Sequence, residues 1–189
     1  MNSLIIVGSG GLGREVANVA LSLGFWSGIY FIDDAKTVNT TINGIKVIGS
    51  SKALADYKGD VFVALGNIRA RNAIVQDLKI YGAISFPNVI HPSCGWVYNN
   101  LNNLGQGNYI GEGVVGTVNI SIGNFNVINI GCLISHDTGI GSFCNLMHGV
   151  KITSGAELHD FVNVGAGASI LSVGHIESAS EISANAVYK

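Results

Sequence analysis

The second half of the chain repeats every six residues, and this period constrains the fold more than any other feature. Counting in sixes from Leu104 to Ile182 gives fourteen positions, and thirteen of them hold Leu, Ile or Val, with Gly116 as the exception. Most residues four places later are small or β-branched, while Asn108 and Asn126 are polar exceptions. Neither an amphipathic helix nor an alternating strand has this spacing. The pattern predicts a parallel β-helix with three hexapeptides in each triangular coil, so that residues eighteen apart stack at about 4.8 Å.

The first half of the chain alternates segments that predict strands with segments that predict helices. Apolar runs predict the strands LIIVG, IYFIDD, IKVIG and VFVALG. Amphipathic runs predict the helices GLGREVANVALSLG, which ends at Gly24, SSKALADY and IRARNAIVQDLKIYG. Such an order is typical of a small, mostly parallel sheet covered by helices. The sequence therefore predicts a Rossmann-like α/β domain over residues 1–88 and a β-helix over residues 89–189.

Composition excludes several classes of protein. Charged residues make up 12% of the chain, and the net charge of -2 provides no electrostatic footprint for nucleic acid or an anionic membrane. The apolar share is 48%, which predicts that partner subunits cover part of the surface. No apolar run approaches the roughly 20 residues that span a bilayer.

The N-terminus and the cysteines predict a reduced, cytoplasmic protein. The start, MNSLIIVGSGG, leads directly into a glycine loop, which is typical of a buried strand rather than a signal peptide. Cys94, Cys132 and Cys144 are odd in number and form no CxxC pair, which argues against a disulfide framework or a thiolate zinc site. Cys132 and Cys144 fall at the small inward position of the repeat, which argues against a thiol nucleophile.

The segment GSGGLG lies between the first predicted strand and the first predicted helix. Gly8, Gly10 and Gly13 satisfy GxGxxG, which lets the backbone approach a phosphate at a helix N-terminus. Asp33 ends the next predicted strand, where a carboxylate can accept hydrogen bonds from a ribose or base. The combination favours nucleotide binding over a plain tight turn. An NAD-linked oxidoreductase would use the same loop, but the α/β half is short for it and the hexapeptides would have no role.

His136 and Asp137 stand at a predicted outward corner of the repeat. A histidine near neutral pKa can take a proton from an incoming hydroxyl or amine, and the adjacent carboxylate can orient its ring. Ser154 lies eighteen residues later, so its backbone N–H is expected one coil away, where it could stabilise an oxyanion. From spacing alone, the alternative is a solvated corner histidine.

His136, His148 and His159 are close in sequence, as the ligands of a metal site often are. They fall on different edges or at different positions of the repeat, so we expect no metal site within one subunit. A set of ligands shared between subunits stays open.

Four segments together resemble the bacterial sugar acyltransferases of the PglD and NeuD type. They are LIIVGSGGLGREV, FIDD, VFVALGN with the following Arg69, and NIGCLISHDTGIG, and the likeness extends over essentially the whole chain. The resemblance implies a homotrimer in which a left-handed β-helix binds acetyl-CoA, as a co-substrate, between neighbouring subunits without a metal. It also implies that the glycine loop holds a nucleotide-linked amino sugar rather than a dinucleotide.

The resemblance implies roles for individual residues. His136 is expected to be the general base and Asp137 to raise its basicity, while Asn129 matches an active-site asparagine. The positions expected to contact the sugar nucleotide are Gly10, Gly11, Leu12, Asp33, Asp34 and Gly66. The positions expected to contact acetyl-CoA are Asn145, Ser154, Ala166 and Ala184.

The implied reaction is direct N-acetylation of a nucleotide-linked 4-amino sugar in the synthesis of a bacterial O-antigen, capsule or glycoprotein glycan. Two residues depart from the family pattern: Leu12 and Asn145 stand where some relatives have histidines near the sugar and CoA. O-acetylation of a sugar or sialic acid therefore stays open. The chain ends at AVYK, where relatives continue, so an inactive β-helix remnant stays open as well.

Overall fold

A computed structural model describes residues 2–55, 57–80, 84–96, 103–171 and 174–189. The chain divides into two compact units, Met1–Val89 and Ile90–Lys189. We refer to them as the α/β unit and the β-helix.

The elements of the α/β unit, in chain order, are β1 (Leu4–Val7), α1 (Gly11–Leu23), β2 (Ile29–Ile32), β3 (Thr41–Ile42), β4 (Ile45–Gly49), a 3₁₀ helix (Ser51–Leu54), β5 (Gly59–Val63), α2 (Ile68–Lys79) and β6 (Ile84–Ser85). The strands form a mixed sheet with the order β3-β4-β2-β1-β5-β6. Among these six described strands only β3 and β4 pair antiparallel, so the predicted mostly parallel sheet is confirmed.

Two local predictions for this unit were wrong. The segment SSKALADY forms one 3₁₀ helix instead of an α-helix. The segment between β2 and β4 contains strand β3, which we did not predict. It pairs with β4 through Asn43 and Gly44, whose φ angles of 47° and 81° are those of a tight hairpin turn.

Strand β1 lies at the centre of the sheet and is buried along its whole length. The chain passes through α1 to β2 on one side of β1 and later returns to β5 on the other side. The connection from β1 leads through α1 to β2, and the connection from β5 leads through α2 to β6. These two connections therefore leave the neighbouring strands β1 and β5 towards opposite edges of the sheet. A crevice forms at such a reversal, and open α/β sheets bind ligands there.

Short parallel strands form three faces in the β-helix. Face 1 consists of β7 (Val89–Ile90), β9 (Tyr109–Ile110), β12 (Val127–Ile128), β15 (Asn145–Leu146), β18 (Asn163–Val164) and β21 (Glu181–Ile182). Face 2 consists of β8 (Gly95–Trp96), β10 (Val115–Gly116), β13 (Leu133–Ile134), β16 (Lys151–Ile152), β19 (Ser169–Ile170) and β22 (Val187–Tyr188). Face 3 consists of β11 (Ser121–Ile122), β14 (Gly139–Ile140), β17 (Glu157–Leu158) and β20 (His175–Ile176).

The predicted six-residue register is confirmed. Along face 1, for example, Ile110, Ile128, Leu146, Val164 and Ile182 pair in succession, each eighteen residues after the last. All five are buried in one continuous core. Faces 1 and 2 begin before Leu104, where the aliphatic pattern starts. Their first strands are β7 and β8, which pair with β9 and β10 respectively.

The two polar exceptions of the register lie in this core and bond to each other. Asn108 and Asn126 are both 0% exposed. The Asn126 backbone N–H donates to Asn108 Oδ1 at 2.8 Å, and the Cys144 N–H donates to Asn126 Oδ1 at 2.7 Å. Each asparagine also donates through Nδ2, to the carbonyls of Gly123 and Gly141 respectively, both at 2.9 Å. Buried amides are therefore satisfied from coil to coil.

The corners of the coils contain residues in left-handed backbone conformation. We name each corner by the faces it joins: residues 129–132 turn from face 1 to face 2 (corner 1–2), residues 135–138 from face 2 to face 3 (corner 2–3), and residues 141–144 from face 3 to face 1 (corner 3–1). At corner 2–3 the left-handed residues include Asn119, Asp137 and Gly155, with φ between 55° and 73°. In the described part of the chain, no helix is long and apolar enough to cross a membrane.

Candidate functional site

The glycine loop after β1 is shaped by two close approaches of the backbone. A Cβ on Gly13 would overlap the carbonyl oxygen of Gly8, so the first turn of α1 can pack on this loop only with glycine there. Gly8 has a φ of 95°, which side chains strongly disfavour. A Cβ on Gly10 or Gly11 would meet nothing within 4 Å. The loop is therefore rigid on the side of the sheet and open at the start of α1.

Asp33, predicted to contact a nucleotide, holds the glycine loop in place. Its Oδ2 accepts hydrogen bonds from Ser9 N–H at 2.9 Å and Ser9 Oγ at 2.5 Å, and its Oδ1 accepts one from Ala35 N–H at 2.9 Å. Partial burial alone would raise the pKa of Asp33, but the bonds from Ser9 and Ala35 outweigh it and lower that pKa. Ser9 is only 4% exposed, and the sequence reasoning missed it because the middle positions of GxGxxG carry no residue requirement.

The other predicted nucleotide contacts differ in burial and in hydrogen bonding. Asp34 accepts from Ser51 N–H at 2.7 Å and Ser51 Oγ at 2.9 Å, so it anchors the start of the 3₁₀ helix. Leu12 is half-buried in α1, and Gly66 is exposed in the loop between β5 and α2. The structure thus brings Gly10, Gly11 and Gly66 to the crevice, while both carboxylates already have protein partners.

His136 and Asp137 form a hydrogen-bonded pair at corner 2–3. The His136 Nδ1 and Asp137 Oδ2 atoms are 2.7 Å apart, and each side chain is 56% exposed. Hydrogen bonds from His136 and, next in size, from Asn119 hold the pKa of the Asp137 carboxyl below its usual value. An ionised carboxylate only accepts, so Nδ1 of His136 carries the proton and Nε2 is available as a base. The pair has the arrangement of a general base with its orienting partner.

Asn119 joins this pair, and the sequence reasoning missed it. Its Nδ2 donates to Asp137 Oδ1 at 2.8 Å from the coil before, eighteen residues earlier in the chain. The eighteen-residue repeat is the signal that could have found it, because Asn119 stands one coil before Asp137 just as Ser154 stands one coil after His136.

Ser154 lies one coil beyond His136, as predicted. The N–H of Gly155 donates to the His136 carbonyl at 3.1 Å, which fixes the two coils against each other at this corner. Asn129 lies elsewhere: it belongs to corner 1–2, is 5% exposed and is 3.8 Å from the Met147 sulfur through Nδ2. Within one chain, the structure does not bring Asn129 and His136 to the same corner.

Two of the four predicted acetyl-CoA contacts, Ala166 and Ala184, lie at corner 1–2. His148, Ala166 and Ala184 stack there, since Gly167 N–H donates to the His148 carbonyl at 2.9 Å and Asn185 N–H to the Ala166 carbonyl at 2.8 Å. All three are exposed. Asn145 lies on face 1 instead and is 7% exposed, which leaves little of its side chain for direct contact with a ligand.

The cysteines have the character of core residues. Cys132 and Cys144 are 0% exposed. Burial raises the pKa of the Cys132 thiol to about 11 and likewise that of Cys94 to about 11, so both are protonated at neutral pH. Among the described residues, no group of three or more His, Cys, Asp or Glu side chains could hold a metal ion.

Comparisons with known proteins agree with this architecture. Residues 3–78 match the model of the PglD N-terminal domain family. The match extends over the α/β unit from Ser3 to Leu78 and leaves out the β-helix. No curated protein sequence matches the chain.

Solved structures resemble the whole chain. The acetyltransferase domain of PglB from Neisseria gonorrhoeae is 27% identical with a TM-score of 0.80, over 99% of this chain and 91% of that one. PerB from Caulobacter crescentus, in complex with CoA and GDP-perosamine, is 24% identical with a TM-score of 0.89, over 99% and 88%. WeeI from Acinetobacter baumannii is 24% identical with a TM-score of 0.89, over 100% and 92%.

These findings confirm the resemblance to sugar acyltransferases of the PglD type. They also confirm the fold class, an α/β domain followed by a left-handed parallel β-helix, and the enzyme class, an acyltransferase. The roles of individual residues stay predictions.

Proposed function

We propose that the protein transfers the acetyl group of acetyl-CoA to the amino group of a nucleotide-linked 4-amino sugar. The observation that carries this proposal is the exposed His136–Asp137 pair, 2.7 Å apart, on a β-helix next to a glycine-loop domain in sequence. Related folds support the choice of substrates, because PerB was solved with CoA and GDP-perosamine and the PglB domain with acetyl coenzyme A.

His136 acts as the general base. Its Nε2 takes a proton from the sugar amine as the amine nitrogen attacks the thioester carbonyl carbon. The new oxyanion accepts a hydrogen bond from the backbone N–H at Ser154. The intermediate then collapses with cleavage of the C–S bond, and the proton on His136 passes to the departing CoA thiolate. Transfer is direct, without an acyl-enzyme or a metal.

The α/β unit binds the nucleotide at the carboxyl ends of β1 and β5. Gly10, Gly11 and Gly66 present backbone with open space beside it, so phosphates can approach the N-terminus of α1 closely. Asp33 contributes in two ways: it fixes Ser9 and can accept a further hydrogen bond from a ribose or base. Asp34 and Leu12 line the same region as secondary contacts.

The acetyl-CoA site is completed by a second copy of the chain in a homotrimer. Corner 2–3 with His136 and corner 1–2 with Ala166 and Ala184 lie at opposite edges of face 2. Face 2 exposes 41% of Val115 and 46% of Leu133, an apolar surface suited to burial. If face 2 packs around a three-fold axis, corner 2–3 of one subunit meets corner 1–2 of the next. This arrangement also brings Asn129 of one subunit to His136 of its neighbour.

O-acetylation of a sugar or sialic acid is the second candidate. Leu12, half-buried at the glycine loop, offers the acceptor no hydrogen bond from its side chain, so this position does not select an amine. Among the described residues the cysteines form no disulfide, which suits the cytoplasm as the site of the reaction.

The test is a thiol-release assay with acetyl-CoA and a panel of UDP-, dTDP- and GDP-linked 4-amino sugars plus sialic acid. Wild type is compared with His136→Ala and with His159→Ala, which removes an exposed histidine from corner 3–1. We expect turnover with one amino sugar, a loss of about a hundredfold or more in His136→Ala, and full activity in His159→Ala.

Three other results would change the conclusion. Turnover with sialic acid alone would establish the O-acetyltransferase. Equal rates in wild type and His136→Ala would remove His136 from the mechanism. No thiol release from an intact trimer would reject the proposed substrates and favour an inactive remnant.

A further inference from the structure

We propose that Asn119 is a positioning residue that orients the Asp137 carboxylate and so keeps the proton of His136 on Nδ1. The inference rests on the proposed function, since it assigns to Nε2 the role of base. It adds a third member, contributed by the preceding coil, to the pair at corner 2–3.

The contacts divide the two oxygens of Asp137 between two donors. Asn119 Nδ2 donates to Oδ1 at 2.8 Å, and His136 Nδ1 is 2.7 Å from Oδ2. With Oδ1 held from the coil before, rotation of the carboxylate about its Cβ–Cγ bond is restrained. Asp137 is 56% exposed, so without a second contact its carboxylate would be free to turn towards water.

The backbone sets the distance between Asn119 and Asp137. Both residues are in the left-handed conformation, with φ of 55° and 58°, and Asp137 N–H donates to the Val118 carbonyl at 3.1 Å. Asn and Asp tolerate this conformation better than other residues with side chains. The two side chains therefore leave equivalent points of adjacent coils in parallel, at the separation of one hydrogen bond.

The tautomer of His136 gives Asn119 its chemical effect. A histidine in water favours the proton on Nε2, which would leave the outer nitrogen unable to accept one. A fixed carboxylate at Nδ1 reverses that preference. Loss of the orienting amide should let the ring return towards the ordinary mixture, with fewer molecules ready to act as a base.

The chain offers a matched control for the Asn119–Asp137 bond. Asn163 Nδ2 donates to Glu181 Oε2 at 2.7 Å, again between adjacent coils and eighteen residues apart. This pair lies on face 1 and involves no histidine. Removal of the Asn163 amide breaks the same kind of bond away from corner 2–3.

The experiment compares wild type with Asn119→Gly, Asn119→Asp and Asn163→Ala. Glycine accepts the left-handed conformation without the amide, and aspartate keeps the size of the side chain but cannot donate. The tautomer of His136 is read from the ¹⁵N shifts of its ring nitrogens at pH 8, with His136→Ala used for assignment. Steady-state kcat and KM are measured on the acceptor that the panel identifies.

We expect both Asn119 variants to shift His136 towards the Nε2-protonated form and to lower kcat by about tenfold with little change in KM. Asn163→Ala should change neither the tautomer of His136 nor kcat. The inference is overturned if the ¹⁵N shifts of His136 in both Asn119 variants equal those of wild type, whatever the rates. The ring measurement needs no substrate, so a shifted tautomer in a protein that acetylates nothing would support the positioning role and reject the proposed function.

Discussion

The two units of this protein hold their candidate site residues in opposite ways. In the β-helix, the Asn119–Asp137 bond links two adjacent coils, and Asn163–Glu181 repeats the same arrangement elsewhere. In the α/β unit, the bonds from Ser9 to Asp33 join segments 24 residues apart, and no repeat supplies an equivalent position for either residue. A repeated fold therefore supplies its own controls, whereas each contact of the α/β unit must be tested alone.

This difference predicts how the units respond to substitution. A position in the β-helix has equivalents one coil away that show which residue types it accepts. A position in the glycine loop has no such equivalent. The backbone of Gly13 also passes very close to the Gly8 carbonyl oxygen, so this loop leaves no space for a side chain at Gly13. We expect single changes in the loop to cost more than changes at equivalent corner positions.

Gly13→Ala should have the largest effect. Its Cβ would overlap the Gly8 carbonyl oxygen, so α1 would have to move off the sheet, at a cost of about 3 kcal/mol or more. Hydrogen exchange reads the two units separately and should show lost protection in β1 and α1 only. The control is Gly113→Asn, at a corner position with φ of 67° where Asn185 stands four coils later in the same column. That variant should lose less than about 1 kcal/mol. Equal losses of unfolding free energy in Gly13→Ala and Gly113→Asn would show that the glycine loop is no less tolerant of substitution than a corner of the β-helix.

Asn126→Ala should have an intermediate effect within the β-helix. It removes the acceptor of the buried Cys144 N–H and the donor to the Gly141 carbonyl, which should cost about 2 kcal/mol of unfolding free energy. Cys144→Ala, one coil later in the same column, removes a small side chain and its weak S–H bond to the His159 carbonyl at 3.1 Å, and it should cost less. Urea denaturation of both variants measures the difference. A smaller loss for Asn126→Ala than for Cys144→Ala would show that the asparagine bonds add no stability.

The smallest effect concerns the pH dependence of the α/β unit. The pKa of Asp33 is lower in the folded chain than its usual value, so its contribution to stability is present above the unfolded pKa of about 3.9 and is lost as the pH falls through the folded pKa. Asp33→Asn should therefore lose less stability than wild type between pH 5 and pH 3. Urea midpoints across that range measure it, with the exposed Asp77 of α2 replaced by Asn as control. Identical slopes in wild type and Asp33→Asn would contradict the assignment.

Sequence predicted most where a rule is local and repeats. The six-residue period placed Ile128 and its equivalents in the core, and the same count placed Ser154 one coil from His136. The glycine spacing predicted the loop before α1. Each of these inferences needs only the distance along the chain between residues of one kind.

Sequence could not predict contacts in which two distant segments meet once, or in which a side chain has a partner outside the repeat. Asp34 anchors Ser51, seventeen residues away, and no spacing rule connects the two. Asn145 occupies an outward position of the repeat but is only 7% exposed, which the six-residue count does not predict. Family position groups Asn129 with His136, and their distance along the coil places them at different corners of one chain, so the grouping depends on the proposed contact between subunits.

The asparagine column of the core bears on how the β-helix folds. Asn108 and Asn126 each donate to a carbonyl of the coil that follows, as Asn126 does to Gly141. A coil that has formed without its successor therefore leaves polar groups unsatisfied, which penalises partly wound intermediates. Repeat proteins otherwise add units almost independently. In this chain the coils around Asn108 and Asn126 should wind and unwind together, as one cooperative block.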